Sequence, residues 1–378
     1  MRRPGRARTV LVVAVLALVV LLAACGSDEH PLDTLNPKGP EARSIDRLLD
    51  PVLLVAGVVF VFVEAGVLYL AFRFRRRPDD DDSVVPDQIH GHTRLEIGWT
   101  VLPALILAGV AVGTIATLFR LSDEPEGAME VKVYGQQWWW AYQYDTTGDG
   151  VSDIITANEL VIPAGQPVNL RITARDVIHS FWAPALNGKR DAVPGREHPL
   201  TIEADEPGIY AGQCGEYCGL SHSLMRLRVV ALAPDDFDAW VEGQLADAAE
   251  PGDADAQAGL EVFQQLCIQC HQINGVNEVP LGEAQQVAGV APNLTHLMSR
   301  TVFAGGVFTL RDVSLQHGEG FTLEDYQGGN FDRAALEAWL RDPPGRKPMY
   351  PEGNRGMPNL GLTEQQIDQL VAYLQTLE

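Results

Sequence analysis

Cys214 to Met225 read Cys-Gly-Glu-Tyr-Cys-Gly-Leu-Ser-His-Ser-Leu-Met, and His179 lies upstream. Two thiolates, two imidazoles and a thioether make a soft donor set, which suits copper. Cys214 and Cys218 fall in a loop with Gly212, Gly215 and Gly219, between two predicted strands that would hold the ligands in one geometry. Two bridging thiolates (Cys214, Cys218), one imidazole per metal (His179, His222) and a weak thioether (Met225) would build a binuclear centre. The carbonyl of Glu216 could supply the remaining weak ligand. A type-1 copper would need one Cys, and zinc would not need the Met. A Cys214–Cys218 disulfide would need neither the His nor the Met residues around it. Alone, Met225 reads as core and His222 as surface, so the joint spacing carries the metal reading.

A second signature follows at Cys267-Ile-Gln-Cys270-His271, the attachment sequence of a c-type haem. Cys267 and Cys270 would form thioethers with the haem vinyls, and His271 would be the proximal ligand. A Met as sixth ligand raises the potential into the range of cytochromes c. Met298, Met349 and Met357 are the candidates. Met357 is preferred, because Met357-Pro358-Asn359-Leu360 before an amphipathic terminal helix resembles the ligand loop of small cytochromes c. Ala291 to His296 resembles the loop below their haem, which makes His296 a structural hydrogen-bonder. Arg300 either pairs with a haem propionate or lies at the surface. A thiolate metal centre followed by a haem describes a path for electrons, not a pocket for an organic substrate.

The elements that must position these residues begin with a membrane anchor. Arg2, Arg3, Arg6 and Arg8 precede an apolar run from Val10 to Leu22, and Leu22-Ala23-Ala24-Cys25 resembles a bacterial lipobox with Cys25 as the lipidated residue. The alternative is an ordinary signal peptide with an incidental Cys. Of five cysteines, none is left over for a structural disulfide framework. Pro51 to Phe72 and Ile97 to Phe119 each exceed the roughly 20 residues that span a bilayer. Arg73-Phe74-Arg75-Arg76-Arg77 between them should stay cytoplasmic, so both ends of the hairpin face outward. Glu64, mid-span, is either a proton-path or inter-subunit contact or a protonated carboxyl at a helix interface.

The net charge of −22 excludes nucleic acid as a partner. It suits a basic soluble partner or plain solubility, and residues 248–378 alone hold 17 acidic against 7 basic side chains. From Met129 to about Ala233, short apolar runs broken by Pro and Gly turns predict an antiparallel sandwich. The runs are Val131 to Tyr134, Glu159 to Ile162, Val168 to Ile172, Leu200 to Ile202 and Leu227 to Leu232. Asp145 to Asp153 lacks the last acidic ligand of a calcium loop and reads as a polar hairpin turn. Residues 243–256 read as a linker. Helices are predicted over about Asp332 to Arg341 and at the C-terminus, where Thr363 and Gln366 form a capping box. Residues 311–330 read as an insertion without an assigned role.

Taken together, these residues resemble subunit II of haem–copper cytochrome c oxidases, of the caa type with a fused cytochrome c. The resemblance also runs through Leu95 to Thr100, Gln137 to Tyr142, Asp176 to Phe181, Asp191 to Arg196 and Gly208 to Gln213. It implies a multidomain membrane protein: a two-helix transmembrane hairpin, a cupredoxin-like all-β Greek-key sandwich and an all-α cytochrome c domain. The expected boundaries are a lipoprotein signal peptide at 1–24, an outer segment at 25–50 and the hairpin at 51–120. The CuA domain follows at 121–242, the linker at 243–256 and the haem domain at 257–378. The resemblance further implies that Trp138 admits electrons to the copper centre, for which core packing is the rival. It also implies that Glu216 and Asp191 hold a redox-inactive magnesium shared with subunit I, and that Glu96 stands at a proton-channel mouth there. Gly91-His92 departs from relatives that carry Asn before the residue at Thr93. The expected partners are oxidase subunits I and III, an external cytochrome c or similar donor, and the bilayer of a bacterial plasma membrane. The expected function is electron input for proton-translocating oxygen reduction in the respiratory chain, the reduction itself taking place in subunit I. The rival is a free-standing copper/haem carrier or metal-delivery lipoprotein. Quinol oxidase relatives lack these copper ligands, and nitrous oxide reductases lack the hairpin.

Overall fold

A computed structural model describes residues 31–76, 90–277, 291–350 and 355–378. Cys25 and the signal segment lie outside them, as does Arg77. Helix α1 (Pro40–Arg73) begins with Pro at its first turn, where the missing N–H costs nothing. Helix α2 (Thr93–Leu121) is capped reciprocally: the His92 ring accepts from Leu95 N, and Glu96 accepts from His92 N at 3.0 Å. Their 34 and 29 residues exceed what a bilayer requires. The helices meet at Leu48 and Gly113, where an added Cβ would lie 3.1 Å from the leucine. Most of their other apolar side chains, and Glu64 among them, are exposed, so hydrocarbon or partner helices must cover them. The start of α1 lies against the sandwich through Lys38 N to Ala185 O (2.7 Å) and Ala42 N to Leu186 O (3.1 Å).

The sandwich consists of ten strands. They are β1 (Met129–Gln136), β2 (Trp139–Tyr144), β3 (Ile154–Ala157), β4 (Glu159–Pro163), β5 (Val168–Ala174), β6 (His179–Trp182), β7 (Arg190–Ala192), β8 (His198–Ile202), β9 (Gly208–Cys214) and β10 (Arg226–Leu232). One sheet runs β3-β2-β1-β5-β8 and the other β4-β10-β9-β6-β7. Trp140, Tyr142, Tyr144, Leu160 and Phe181 fill the space between them. The antiparallel expectation needs correction, because β1 pairs with β5 and β4 with β10 in parallel. An apolar run has the same face pattern beside either kind of neighbour, so it carries no strand direction. Strand β2 lies outside the apolar runs that predict strands, because it is buried at every position and shows no alternation. The acidic 145–153 stretch is a turn between β2 and β3, with Asp145 accepting from Gly148 N and Gly150 N at 2.6 and 2.7 Å.

Helix α3 (Pro234–Gln244) closes one end of the sandwich, with Trp240 edge-on to Tyr144 at 5.4 Å. Helix α4 (Ala254–Leu266) follows, capped by Asp253. The segment read as a linker therefore begins inside α3, and Gln244 donates to Ser299 Oγ at 3.1 Å. The C-terminal core packs α4 against α8 (Glu364–Leu374), with α6 (Arg333–Arg341) and the short α7 (Pro343–Arg346) beside them, while the short α5 (Leu323–Gln327) lies against α3 and the sandwich. The expected capping box is present at Thr363 and Gln366.

Residues 311–330 fold onto the sandwich. Val313, Phe321 and Tyr326 join its core, and Ile209 N bonds Gln316 O at 2.8 Å. A Cβ at Gly208 would meet His317 Cα at 2.5 Å, so close approach requires glycine there. Buried Glu159 on β4 accepts from Thr301 N (2.9 Å), the Thr301 hydroxyl and the Tyr326 hydroxyl (2.9 Å). The two outer domains are thus joined through buried polar contacts.

Candidate metal centre and haem cleft

Cys214 ends β9 and pairs across to Phe181 on β6, whose first residue is His179. Cys214 N bonds Met225 O at 2.9 Å and Gly215 N bonds Ser180 O at 2.8 Å, so the sheet fixes both ends of the loop. The Cys214 and Cys218 sulfurs stand 3.8 Å apart. A disulfide requires about 2.05 Å, so the thiols are free. Cys218 Sγ lies 3.5 Å from His222 Nδ1 and 3.8 Å from Met225 Sδ, and Cys214 Sγ lies 3.2 Å from Glu216 O. His179, Cys214 and Cys218 offer ligand atoms within 4.8 Å of one another. The six expected copper ligands lie together, with His179, Cys214, Cys218 and Met225 buried and Glu216 and His222 partly exposed.

Asp176, to which the sequence reading gave no role, organises this cluster. Its Oδ1 is 2.8 Å from His179 Nε2, and its Oδ2 accepts from Gln137 N at 2.8 Å. Burial raises the Asp176 pKa, but the His179 bond and the Gln137 and Val177 N–H groups hold it below the ordinary value. With Nε2 engaged, His179 Nδ1 is buried and has no hydrogen-bond partner. That orphaned nitrogen beside two free thiols is the atom a soft metal would take. Gly135 makes room for the ring, since a Cβ there would lie 2.9 Å from it. Hydrogen bonding from Cys218 pulls the Cys214 thiol down despite burial. Glu216 and Asp191 are half-exposed and straddle Lys189 Nζ at 3.8 and 3.9 Å. Glu96 is at the start of α2, distant in sequence from this cluster, and acts there as a helix cap.

A cleft opens between the helical domain and the sandwich. Cys267, Cys270, His271 and Met357 line it, together with Gln137, Trp138 and Trp139; Met298 and Met349 do not. His271 Nδ1 is 2.8 Å from Pro292 O, and burial lowers its pKa. The ring is therefore neutral, donates from Nδ1 and keeps Nε2 free as a ligand. Four groups suited to a c-type haem thus face one apolar cleft. His296 spends both nitrogens on Glu378 O (2.6 Å) and Ala246 O (3.0 Å), which is a structural role. Arg300 is buried, not at the surface.

Trp138 lies between the two sites and is 2 % exposed. Its indole donates to Cys218 O at 3.1 Å, and Gln137 Nε2 donates to the same carbonyl at 2.7 Å. On the other side its carbonyl accepts from Lys347 Nζ at 2.6 Å, and its ring is 5.3 Å from that of Tyr350. Ser221 Oγ donates to Pro348 O at 2.6 Å. Lys347 and Tyr350 had no sequence signal, because their partners are some 200 residues away, as the 209-residue separation of Lys347 and Trp138 illustrates.

Two apolar spans, a sandwich with a His/Cys/Cys cluster and a helical domain with a CxxCH cleft define a membrane-bound electron-transfer protein. Residues 36–116 match the transmembrane domain of cytochrome c oxidase subunit II, 147–232 its periplasmic domain, and 256–378 cytochrome c. Cytochrome c oxidase subunit 2 of Alkalihalophilus pseudofirmus is 35% identical over 96% of this chain and 95% of its own length. Its counterpart from Bacillus sp. strain PS3 is 34% identical over 96% and 95%. The periplasmic domain of subunit II of cytochrome oxidase from Bradyrhizobium japonicum is 30% identical, covering 32% of this chain and 95% of that one, with a TM-score of 0.30. The chain belongs to the cytochrome c oxidase subunit II family and carries a C-terminal cytochrome c domain. Membership implies copper in the sandwich, haem in the helical domain, and an outer-face domain on a membrane anchor.

Proposed function

We propose that this chain admits electrons to a cytochrome c oxidase, receiving them from an external donor at haem c and passing them through binuclear CuA to subunit I. The observation that carries this reading is Trp138, which lines the haem cleft and hydrogen-bonds the carbonyl of Cys218. Cys267, Cys270, His271 and Met357 would hold the haem, and His179, Cys214, Glu216 O, Cys218, His222 and Met225 the copper pair. Bound there, the two cofactors supply one-electron relays.

The protein's part is to keep both ligand sets rigid and dry. Strands β6, β9 and β10 pin the copper ligands, so changing the metal's charge need not move them. Asp176 fixes the His179 tautomer, and the buried indole of Trp138 spans the gap between the sites without a mobile contact. Because Trp138 is covered by the helical domain, a soluble donor meets the haem domain first. The long exposed apolar flanks of α1 and α2 favour membrane subunits as partners over a free-standing carrier, for which a lipid on Cys25 would suffice. Glu96 at a proton channel of subunit I, a shared magnesium on Glu216 and Asp191, and proton translocation by the assembly complete the proposal.

Optical and low-temperature EPR spectra of the copper- and haem-loaded chain test it. A seven-line mixed-valence copper signal beside a low-spin Met-ligated haem c is expected. A mononuclear copper signal, or haem without copper, would overturn the binuclear assignment, and purification without a large haem-bearing partner would favour the carrier.

A further inference from the structure

Two short arms, Pro348–Tyr350 and Arg355–Met357, join the two proposed sites. Tyr350 and Arg355 pair in antiparallel fashion, Tyr350 N to Arg355 O at 3.1 Å and Arg355 N to Tyr350 O at 3.4 Å. Gly356 (φ +100°) packs so closely on the first arm that a Cβ there would lie 2.6 Å from Met349 Cβ. The first arm faces the copper-ligand loop. Ser221, between Cys218 and His222 and 1 % exposed, donates its hydroxyl to Pro348 O at 2.6 Å. Gly219 (φ +114°) lies against the Tyr350 ring, where a Cβ would be 3.3 Å away. The second arm reaches another support of the same site. Arg355 Nη1 is 4.0 Å from Asp176 Oδ2, and Asp176 holds His179. The residues that follow, Gly356 and Met357, line the haem cleft.

We propose that these arms form a strap through which the methionine loop of the haem domain holds the copper-ligand loop, with Ser221 as its positioning residue. The inference rests on the copper and haem readings above. A buried hydroxyl left without an acceptor costs about 1–3 kcal/mol, so Ser221 and Pro348 O stay together while the loop is closed. Ligation at Cys218 and His222 would fix the loop on both sides of Ser221, and with it the first arm. Ligation by Met357 would fix the second arm, and the Tyr350–Arg355 pairing joins the two. Both ligations therefore order the same piece of chain. Whichever comes first meets the ordering cost, and the other is favoured by that amount. Such coupling is reciprocal and is typically about 5–150-fold in affinity. Ser221 acts in this scheme without touching either cofactor.

The full chain, loaded with haem and copper, is compared as parent, Met357→Leu, Ser221→Ala, Ser221→Thr and the Met357→Leu/Ser221→Ala double variant. A parent without the Met–iron charge-transfer band, or without copper, would overturn the corresponding site reading and the strap with it. With both present, copper competition titration should show an affinity lower by about 5-fold or more in Met357→Leu. In the Ser221→Ala background the same change should have no further effect, because the connection is already cut. Equal copper affinity in parent and Met357→Leu, or an undiminished effect in the Ser221→Ala background, would overturn the strap and leave both sites intact. Ser221→Ala should also move loss of the Met–iron band to lower urea, and Ser221→Thr should restore it. A role confined to the copper loop would leave that midpoint unchanged, which would likewise overturn the strap. If Met357→Leu takes up no haem, urea titration of the parent decides. Copper should move loss of the band to higher urea, and equal midpoints with and without copper overturn the proposal.

Discussion

Replacing Asp176 by Asn tests the copper site through a residue that would touch no copper. The carboxylate holds His179 Nε2 at 2.8 Å with one oxygen and Gln137 N at 2.8 Å with the other. Asn offers a single oxygen, so it must fail at one of these contacts. If its oxygen stays on Gln137, its NH2 faces Nε2, the imidazole proton moves to Nδ1, and the orphaned ligand nitrogen becomes a donor aimed at the metal. If the oxygen turns to His179, Gln137 N–H is buried unsatisfied, a cost of about 1–3 kcal/mol. Loss of such an outer partner typically weakens metal binding ~10–100-fold, which is about 1.4–2.8 kcal/mol. Copper competition titration and EPR of Asp176→Asn should show that loss, with a changed copper spectrum or a lowered melting temperature according to which contact fails. Copper affinity, spectrum and melting point all equal to the parent's would refute the argument that Asp176 sets the tautomer.

Met357→Leu should abolish the Met–iron charge-transfer absorption and lower the haem potential, while Met349→Leu should leave both; the reverse pattern would exchange their roles. Glu159→Ala leaves three donors of Thr301 and Tyr326 buried and should cost about 3 kcal/mol. Faster hydrogen exchange at Thr301 and a lower melting temperature would report it, and an unchanged melt would sink the clamp. Without haem, Lys347 has a folded pKa of about 7 against 10.5 for the free side chain. The unfolded chain then binds the extra proton between those values, so stability should rise with pH across that window by up to about 1.4 kcal/mol per unit. Chemical denaturation of haem-free chain from pH 7 to 10 checks this, and a flat or falling profile would contradict it.

Chemistry and topology were legible in the sequence wherever they depend on neighbours along the chain. Cys214 to Met225, Cys267 to His271, the two apolar spans and the Thr363 capping box are local patterns, and each has one physical reading that suits its spacing. Burial erased the signal for β2, and the direction of β1 beside β5 never had one, since side-chain alternation is the same in both pairings. Asp176 was visible as a residue but not as the holder of His179, because a hydrogen bond three residues away depends on the bend before β6. The contacts that join the domains were out of reach altogether. Glu159 with Tyr326, and Trp138 with Lys347, lie 167 and 209 residues apart, and nothing local in a chain encodes a partner at that distance. The sequence alone determined which donors this protein offers at the proposed copper and haem sites. Only the tertiary structure decided that one tryptophan would lie between them, because closing the haem domain over the sandwich buries polar groups that only each other can satisfy.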